Sequence, residues 1–267
     1  MHTLIKNKTL LVKTIALLAL TGLAPLQAQE GKADRSGTNP INFTNDFRIY
    51  NDYRSLSSSG EDSQNVTTME YRTPFADGKW QFRVRAYANK LDVDSVGLNE
   101  FGFGDMDMRF LTVPILDMPN KFAMATGLEV FMPTNSDDAL GNDAWTLGPQ
   151  IFLVKFLPFN GAFDLIAPGY QYRISIDEDG PENKVGAHAL DLFLLKTLNN
   201  KQQWIMINPQ GFIDDENDIE FGNIDIEIGS MLGKDHGGQS VYVRPAFAFG
   251  ADRPYDVSLE LGYKYVW

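Results

Sequence analysis

Apolar and polar residues alternate along most of this chain. The last ten positions show it plainly: Leu259, Leu261, Tyr263, Tyr265 and Trp267 interleave with Ser258, Glu260, Gly262 and Lys264, and Val266 is the exception. Successive side chains of a strand point to opposite faces, so such a segment has one greasy face and one wet face. Similar segments recur, separated by turn residues, and predict strands near 43–54, 65–74, 80–90, 101–113, 121–132, 144–156, 162–176, 184–197, 202–213, 219–231, 239–250 and 256–267. On the third, Trp80, Phe82, Val84, Ala86 and Ala88 face one way and Gln81, Arg83, Arg85, Tyr87 and Asn89 the other. The fourth divides Met106, Met108 and Phe110 from Asp105, Asp107 and Arg109; the tenth divides Ile224, Ile226 and Ile228 from Asn223, Asp225 and Glu227. The sixth and ninth are harder to read. Pro149 and Pro209 interrupt them and Lys155 disturbs the faces, so bulges are expected there. No solenoid-type repeat or long helical periodicity occurs.

The connections alternate between two kinds. One is short: Phe75 to Gly78, Asp117 to Asn120, Pro158 to Gly161, Leu198 to Asn200 and Lys234 to Gly238. The other is acidic and mostly longer: Ser55 to Gln64, Leu91 to Glu100, Pro133 to Asp143, Asp177 to Asn183, Asp214 to Asp218 and Ala251 to Tyr255. Every acidic loop follows an odd-numbered strand. Short inner turns and long outer loops in strict alternation are the habit of a barrel that crosses a membrane with both ends on one side. The expected fold is all-β, a transmembrane antiparallel up-and-down β-barrel of about twelve strands, filling residues 42–267.

The N-terminus adds direction. Lys6, Lys8 and Lys13 precede or interrupt an apolar run from Leu10 to Leu23 that closes at Pro25-Leu26-Gln27-Ala28. This reads as a signal peptide over residues 1–28, and the alternative is a retained anchor. Residues 29–41 read as a short periplasmic lead-in. There is no cysteine, so neither a disulfide framework nor thiol chemistry is available. The formal charge of −12 would fall to −15 on loss of the three lysines before residue 29, which argues against nucleic acid as a partner. Mean hydropathy is only mildly negative, at −0.23, as expected when half of each strand faces lipid and half faces water.

The inward positions then carry the candidate chemistry: Asp46, Arg48, Asp52 and Arg54; Glu70 and Arg72; Arg83 and Arg85; Asp105, Asp107 and Arg109; Glu129; Arg173; Asp191; Asp225 and Glu227; Arg244; Glu260 and Lys264. Opposite signs are expected on neighbouring strands, with closure placing Glu260 and Lys264 beside Asp46 and Arg48. Two readings stand. Cross-strand pairs can simply satisfy one another and fill a narrow lumen. Alternatively, Arg48, Glu70, Arg72, Arg83, Arg85, Asp105, Asp107, Arg109, Glu129, Arg173, Asp225, Glu227, Arg244, Glu260 and Lys264 line a pore whose transverse field orients solutes.

Two resemblances bear on this. The terminal strand resembles the closing strand of bacterial outer-membrane barrels, in which the final aromatics, here Tyr263, Tyr265 and Trp267, belong to the interfacial girdle and the assembly signal. In mid-chain, Gly102-Phe103-Gly104-Asp105-Met106-Asp107-Met108-Arg109-Phe110 is followed by Gly127-Leu128-Glu129-Val130-Phe131-Met132-Pro133-Thr134-Asn135 and by Leu140-Gly141-Asn142-Asp143-Ala144-Trp145-Thr146-Leu147-Gly148-Pro149-Gln150. This resembles the outer-membrane "MetA-pathway of phenol degradation" family of transporter-like barrels over roughly residues 100 to 267. Asn135 stands where that family usually has Gly, and Asp143-Ala144 departs from its small-residue spacing. The resemblance implies a barrel concerned with uptake of aromatic compounds. Independently, Gly102 and Gly104 suit a bend, with Asp105 then facing the lumen, and Trp145 suits the outer interface.

An enzymatic reading lacks its parts. The histidines are His2, His188 and His236, none placed with a nucleophile and an orienting group; G-x-S-x-G is absent, as is metal-ligand spacing. No cofactor is expected. Asp137-Asp138, Asp177-Glu178-Asp179 and Asp214-Asp215-Glu216 offer oxygen ligands to divalent cations, or are solvated tips beside lipopolysaccharide. The expectation is a bacterial outer-membrane channel or transporter passing small solutes. Its expected partners are outer-membrane lipid, lipopolysaccharide and the barrel-assembly machinery. The alternative is a plugged structural or surface-interaction barrel.

Overall fold

A computed structural model describes residues 39–56, 62–158, 160–176, 184–199, 201–232 and 238–267. The expected signal peptide, most of the lead-in, the acidic stretch 177–183, and His2 and His236 lie outside the described residues.

The strands are β1 (Asp46–Ser55), β2 (Ser63–Phe75), β3 (Trp80–Val93), β4 (Leu98–Phe103), β5 (Met106–Asp117), β6 (Phe122–Met132), β7 (Thr146–Phe156), β8 (Leu165–Ser175), β9 (Gly186–Leu198), β10 (Gln203–Asp214), β11 (Ile219–Met231), β12 (Gln239–Phe249) and β13 (Val257–Val266). Apart from β4 and β5, sequence neighbours pair antiparallel, and β1 closes on β13. β4 and β5 both pair with β3, β4 against Ala88–Val93 and β5 against Trp80–Arg85, so they form one stave and the barrel has 12. The break falls at Gly104-Asp105, where a Cβ on Gly104 would press on the Asn89 amide and the Leu140 carbonyl oxygen. Among the described residues no helix is long and apolar enough to cross a membrane; strands carry the crossing.

Closure of β1 on β13 leaves β4, paired with β3 alone, as the one described strand with a single partner. It also explains the burial pattern. Ile49, Met69, Ile151, Leu153, Leu190, Ile224, Ile228, Leu259 and Leu261 stay exposed on the outer face while charged residues are buried. This inversion of a soluble protein is what lipid outside demands. Aromatics gather at the rim where the chain ends: Tyr265 stacks on Trp267 at 5.5 Å, Trp267 approaches Tyr71 at 6.3 Å, and Phe75 reaches Trp80 at 6.3 Å and Phe110 at 6.4 Å. Trp267 also donates its backbone N–H to the Asn45 carbonyl oxygen, tying the two ends together.

Three expectations need correction. The prolines at 149 and 209 cause no bulge: Leu128 pairs with Pro149 and Ile224 with Pro209 in unbroken register. Register shifts instead between Thr112 and Ile115, across Val113-Pro114, opposite Met124 to Thr126. On their other side the strands of Pro149 and Pro209 both skip a pairing at the proline, Gly148-Pro149 against β8 and Asn208-Pro209 against β9, and the register resumes unshifted. Lys155 shares the outward side with Ile151 and Leu153, and its Nζ reaches back to the Asn120 carbonyl oxygen at 2.8 Å in the adjoining turn. Its aliphatic stem covers the outer face while the ammonium leaves it. Finally, the end of the lead-in is not outside the barrel. Pro40 lines the lumen, and Ile41 and Phe43 pack on buried residues within it.

Candidate functional site: the barrel lumen

The inward charges form three knots. In the first, Arg48 Nε lies 2.6 Å from Asp46 and 3.2 Å from Glu70, and Arg72 Nε lies 2.5 Å from Glu70. In the second, Asp107 lies 3.2 Å from Arg83 and 2.8 Å from Arg85, and Glu129 pairs with Arg83 and with Arg85 at 3.0 Å. Tyr87 donates to Asp107 at 2.5 Å, and Gln171 donates to Glu129 at 2.8 Å. The third centres on Glu227, fully buried, which receives Lys264 Nζ at 2.8 Å, Trp204 Nε1 at 2.7 Å and Arg244. Arg244 also reaches Glu260 at 3.1 Å, and Tyr242 donates to Glu260 at 2.6 Å. Buried ions persist only when paired and hydrogen-bonded, and these are.

Opposite signs meet directly across neighbouring strands, Arg48 with Glu70, Arg85 with Asp107 and Arg244 with Glu260, but the alternation is incomplete. Register sets Arg72 opposite Arg83 and Arg83 opposite Arg109, a row of like charge. At the closure Arg48 faces Lys264 and Asp52 faces Glu260. Where like charges are opposed, compensation runs diagonally, as from Arg83 to Asp107, two positions from its direct partner Arg109. Cross-strand partners at that offset lie within reach of long side chains.

Aromatic rings complete the third knot. Trp204 stands opposite Gly229 and Tyr242 opposite Gly262; in each case a Cβ on the glycine would collide with the ring. The ring therefore lies flat on the wall. Its polar tip reaches the glutamate two residues before the glycine, Glu227 and Glu260 respectively. The repeated spacing Glu227-x-Gly229 and Glu260-x-Gly262 was the available signal for this arrangement. Lys264 Nζ sits 4.4 Å from the Tyr242 ring centroid and 5.1 Å from that of Trp204.

Between the knots lies a cavity of about 210 Å³. Of the expected residues, Arg48, Glu70, Arg72, Arg83, Arg85, Arg109, Asp225, Glu227, Arg244 and Lys264 line it. Asp107, Glu129 and Glu260 stand behind them as counter-ions. Arg173 is held apart, donating to Gln171 at 2.7 Å with its guanidinium 4.9 Å from the Phe131 ring. Asp105 does not face the lumen knots. Its carboxylate accepts the backbone N–H groups of Thr134 at 3.0 Å, Asn135 at 3.2 Å and Asn142 at 2.6 Å, folding the 133–143 loop onto the bend. A carboxylate with three loop N–H donors nearby satisfies itself there.

Sequence reasoning missed the apolar part of the lumen. Leu111, Val113, Ala123, Ala125, Phe152, Val154, Leu165, Ala167, Leu195, Trp204 and Met206 are buried together, with Ile41, Phe43 and Phe193 against them. Over 151–154, 165–168, 192–195 and 204–207 both faces are apolar, so alternation gives no sign of which looks inward. At the end of this region, the Asp164 carboxylate accepts Thr197 N–H at 2.8 Å, Thr197 Oγ1 at 2.6 Å and Lys196 Nζ at 2.9 Å. Burial alone would raise its pKa, but these hydrogen bonds outweigh that and hold it below the ordinary carboxylate value. His188 sits on the outer side, its Nδ1 at 2.8 Å from Tyr170 Oη and its Nε2 at 3.3 Å from Asp215. Tyr263, Tyr265 and Trp267 lie on the apolar side of the final stave.

No family model matches the chain, and no curated protein matches it. Solved structures do. An outer membrane channel from Pseudomonas putida F1 is similar over 90% of this chain and 100% of its own, with a TM-score of 0.65 and 13% identity. The NanC porin is similar over 82% of this chain and 98% of its own, with a TM-score of 0.55 and 14% identity. The likeness is one of fold: this chain has the outer-membrane type of β-barrel.

Proposed function

We propose that this protein is a bacterial outer-membrane channel through which small solutes, aromatic compounds among them, pass passively. The observation that carries the reading is the charged cavity inside a closed barrel whose outer face is aliphatic. A lumen meant only to be filled gains nothing from guanidinium groups facing open space, since each buried charge costs free energy unless a ligand or water uses it. The P. putida channel and the NanC porin, and the resemblance to transporter-like barrels, agree with it.

One observation favours the second reading, an occluded barrel without transport. Pro40 shares the cavity wall, and Ile41 and Phe43 pack on the apolar residues inside. Conductance of the purified protein in planar bilayers separates the two. Discrete single-channel steps are expected from the full chain. A chain that inserts, shows heat-modifiable migration and stays silent would overturn the channel reading in favour of the occluded barrel.

A further inference from the structure

The cavity wall contains an arrangement that the ion-pair knots do not explain. Arg72, Arg83 and Arg109 occupy directly opposed positions on three successive staves. Like charges placed so are unfavourable, and nothing in barrel closure requires them. Arg72 and Arg83 have carboxylate partners. Arg109 has no carboxylate within 4.0 Å and donates no side-chain hydrogen bond among the described residues, and its Nε is buried without a partner. The Nε of Arg83 is also buried without a hydrogen bond, while that of Arg72 lies against Glu70. Two guanidinium groups of the row, Arg83 and Arg109, thus keep donor capacity unspent. An orphaned buried donor in a native protein calls for an explanation, and a bound anion supplies one.

All three arginines line the cavity. So do Leu111, Phe152, Phe193 and Met206, which bring an apolar wall to the same space. Leu111 lies two residues beyond Arg109 on the same side of β5, so charge and apolar surface adjoin. A guanidinium fork matches a carboxylate, and an apolar wall matches a hydrocarbon body. We infer that the Arg72–Arg83–Arg109 row is a binding site for the carboxylate of a small organic acid, whose apolar body lies against Leu111, Phe152, Phe193 and Met206. This rests on the channel reading for its biological use and names the class of solute such a channel would select. Arg109, which faces Glu129 across the ladder but is the one cation of the row with no carboxylate within 4.0 Å, is the principal contact.

Calorimetric titration of the intact, detergent-solubilised protein tests it with benzoate, its neutral analogue benzamide, and inorganic sulfate. Benzoate is expected to bind more tightly than either, by about tenfold or more. Equal binding of benzoate and benzamide would remove the arginines from recognition; sulfate binding as tightly as benzoate would remove the apolar wall. Neither comparison needs a variant. Arg109→Gln should then lose about tenfold in benzoate affinity, while Arg173→Gln, a lumen charge outside the row, should lose little. Unchanged affinity in Arg109→Gln would overturn the assignment. Bilayer conductance of the same preparation keeps the two readings apart. Benzoate binding by a silent barrel would uphold the site and end the channel proposal; conductance without benzoate binding would do the reverse.

Discussion

The lumen has two halves that are equally buried and built on opposite principles. Around β11 to β13 and β1 to β3 the inner wall is ionic, with Glu227, Lys264, Asp46 and Arg83 each no more than 5% exposed. Around β5 to β10, the inner wall carries Ala123, Ala125, Val154, Leu165 and Ala167, equally hidden. The ionic half stabilises the barrel only while its knots are complete. The apolar half needs no partners and tolerates no polar newcomer. On β5, β6 and β8 the two kinds share a stave, Asp107 and Arg109 with Leu111, Glu129 with Ala123 and Ala125, and Gln171 with Leu165 and Ala167, so there ionic and apolar wall divide by position along the stave.

The largest effect should come from opening a knot. Glu227→Leu leaves Lys264, Arg244 and the Trp204 N–H facing an apolar side chain. A loss of about 3–5 kcal/mol is expected in urea unfolding from lipid vesicles, the cost of uncompensated buried charge. A loss below about 1 kcal/mol would mean that water already serves these groups, and the contrast between the halves would fail.

A matched pair of substitutions sharpens the contrast. Val154 and Val66 are both buried and inward, Val154 in the apolar half and Val66 opposite Asp52 in the ionic half. Val154→Thr should cost about 1–3 kcal/mol, because its hydroxyl finds no partner. Val66→Thr should change stability by no more than about 0.5 kcal/mol. Equal costs at both sites, measured in the same unfolding assay, would erase the distinction.

The smallest effect concerns the clasp below the apolar half. The Asp164 carboxyl titrates below its ordinary value, so its contribution is fully present above the unfolded-state pKa of about 3.9 and is lost as pH falls through the lower folded value. Asp164→Asn should cost less than about 1 kcal/mol at pH 7, given its partly exposed ion pair, and the difference from the parent should vanish in strong acid. A difference independent of pH would assign the effect to the lost hydrogen bonds alone.

What the sequence determined by itself was whatever alternation and parity encode. The stave count, the side of the short turns and the inward positions of Arg83, Arg85, Asp107 and Glu227 follow from period two and from loops that alternate in length. Only the tertiary structure decided the rest. Which charge meets which depends on register between strands, so the opposition of Arg72, Arg83 and Arg109 could not be read along one strand. The bend at Gly104-Asp105 took Asp105 out of the lumen by offering it three loop N–H groups from residues distant in the chain. The apolar half was hidden for a simpler reason. Alternation reports a difference between lipid and water, and where the inner face is as dry as the outer one, the sequence carries no difference to report.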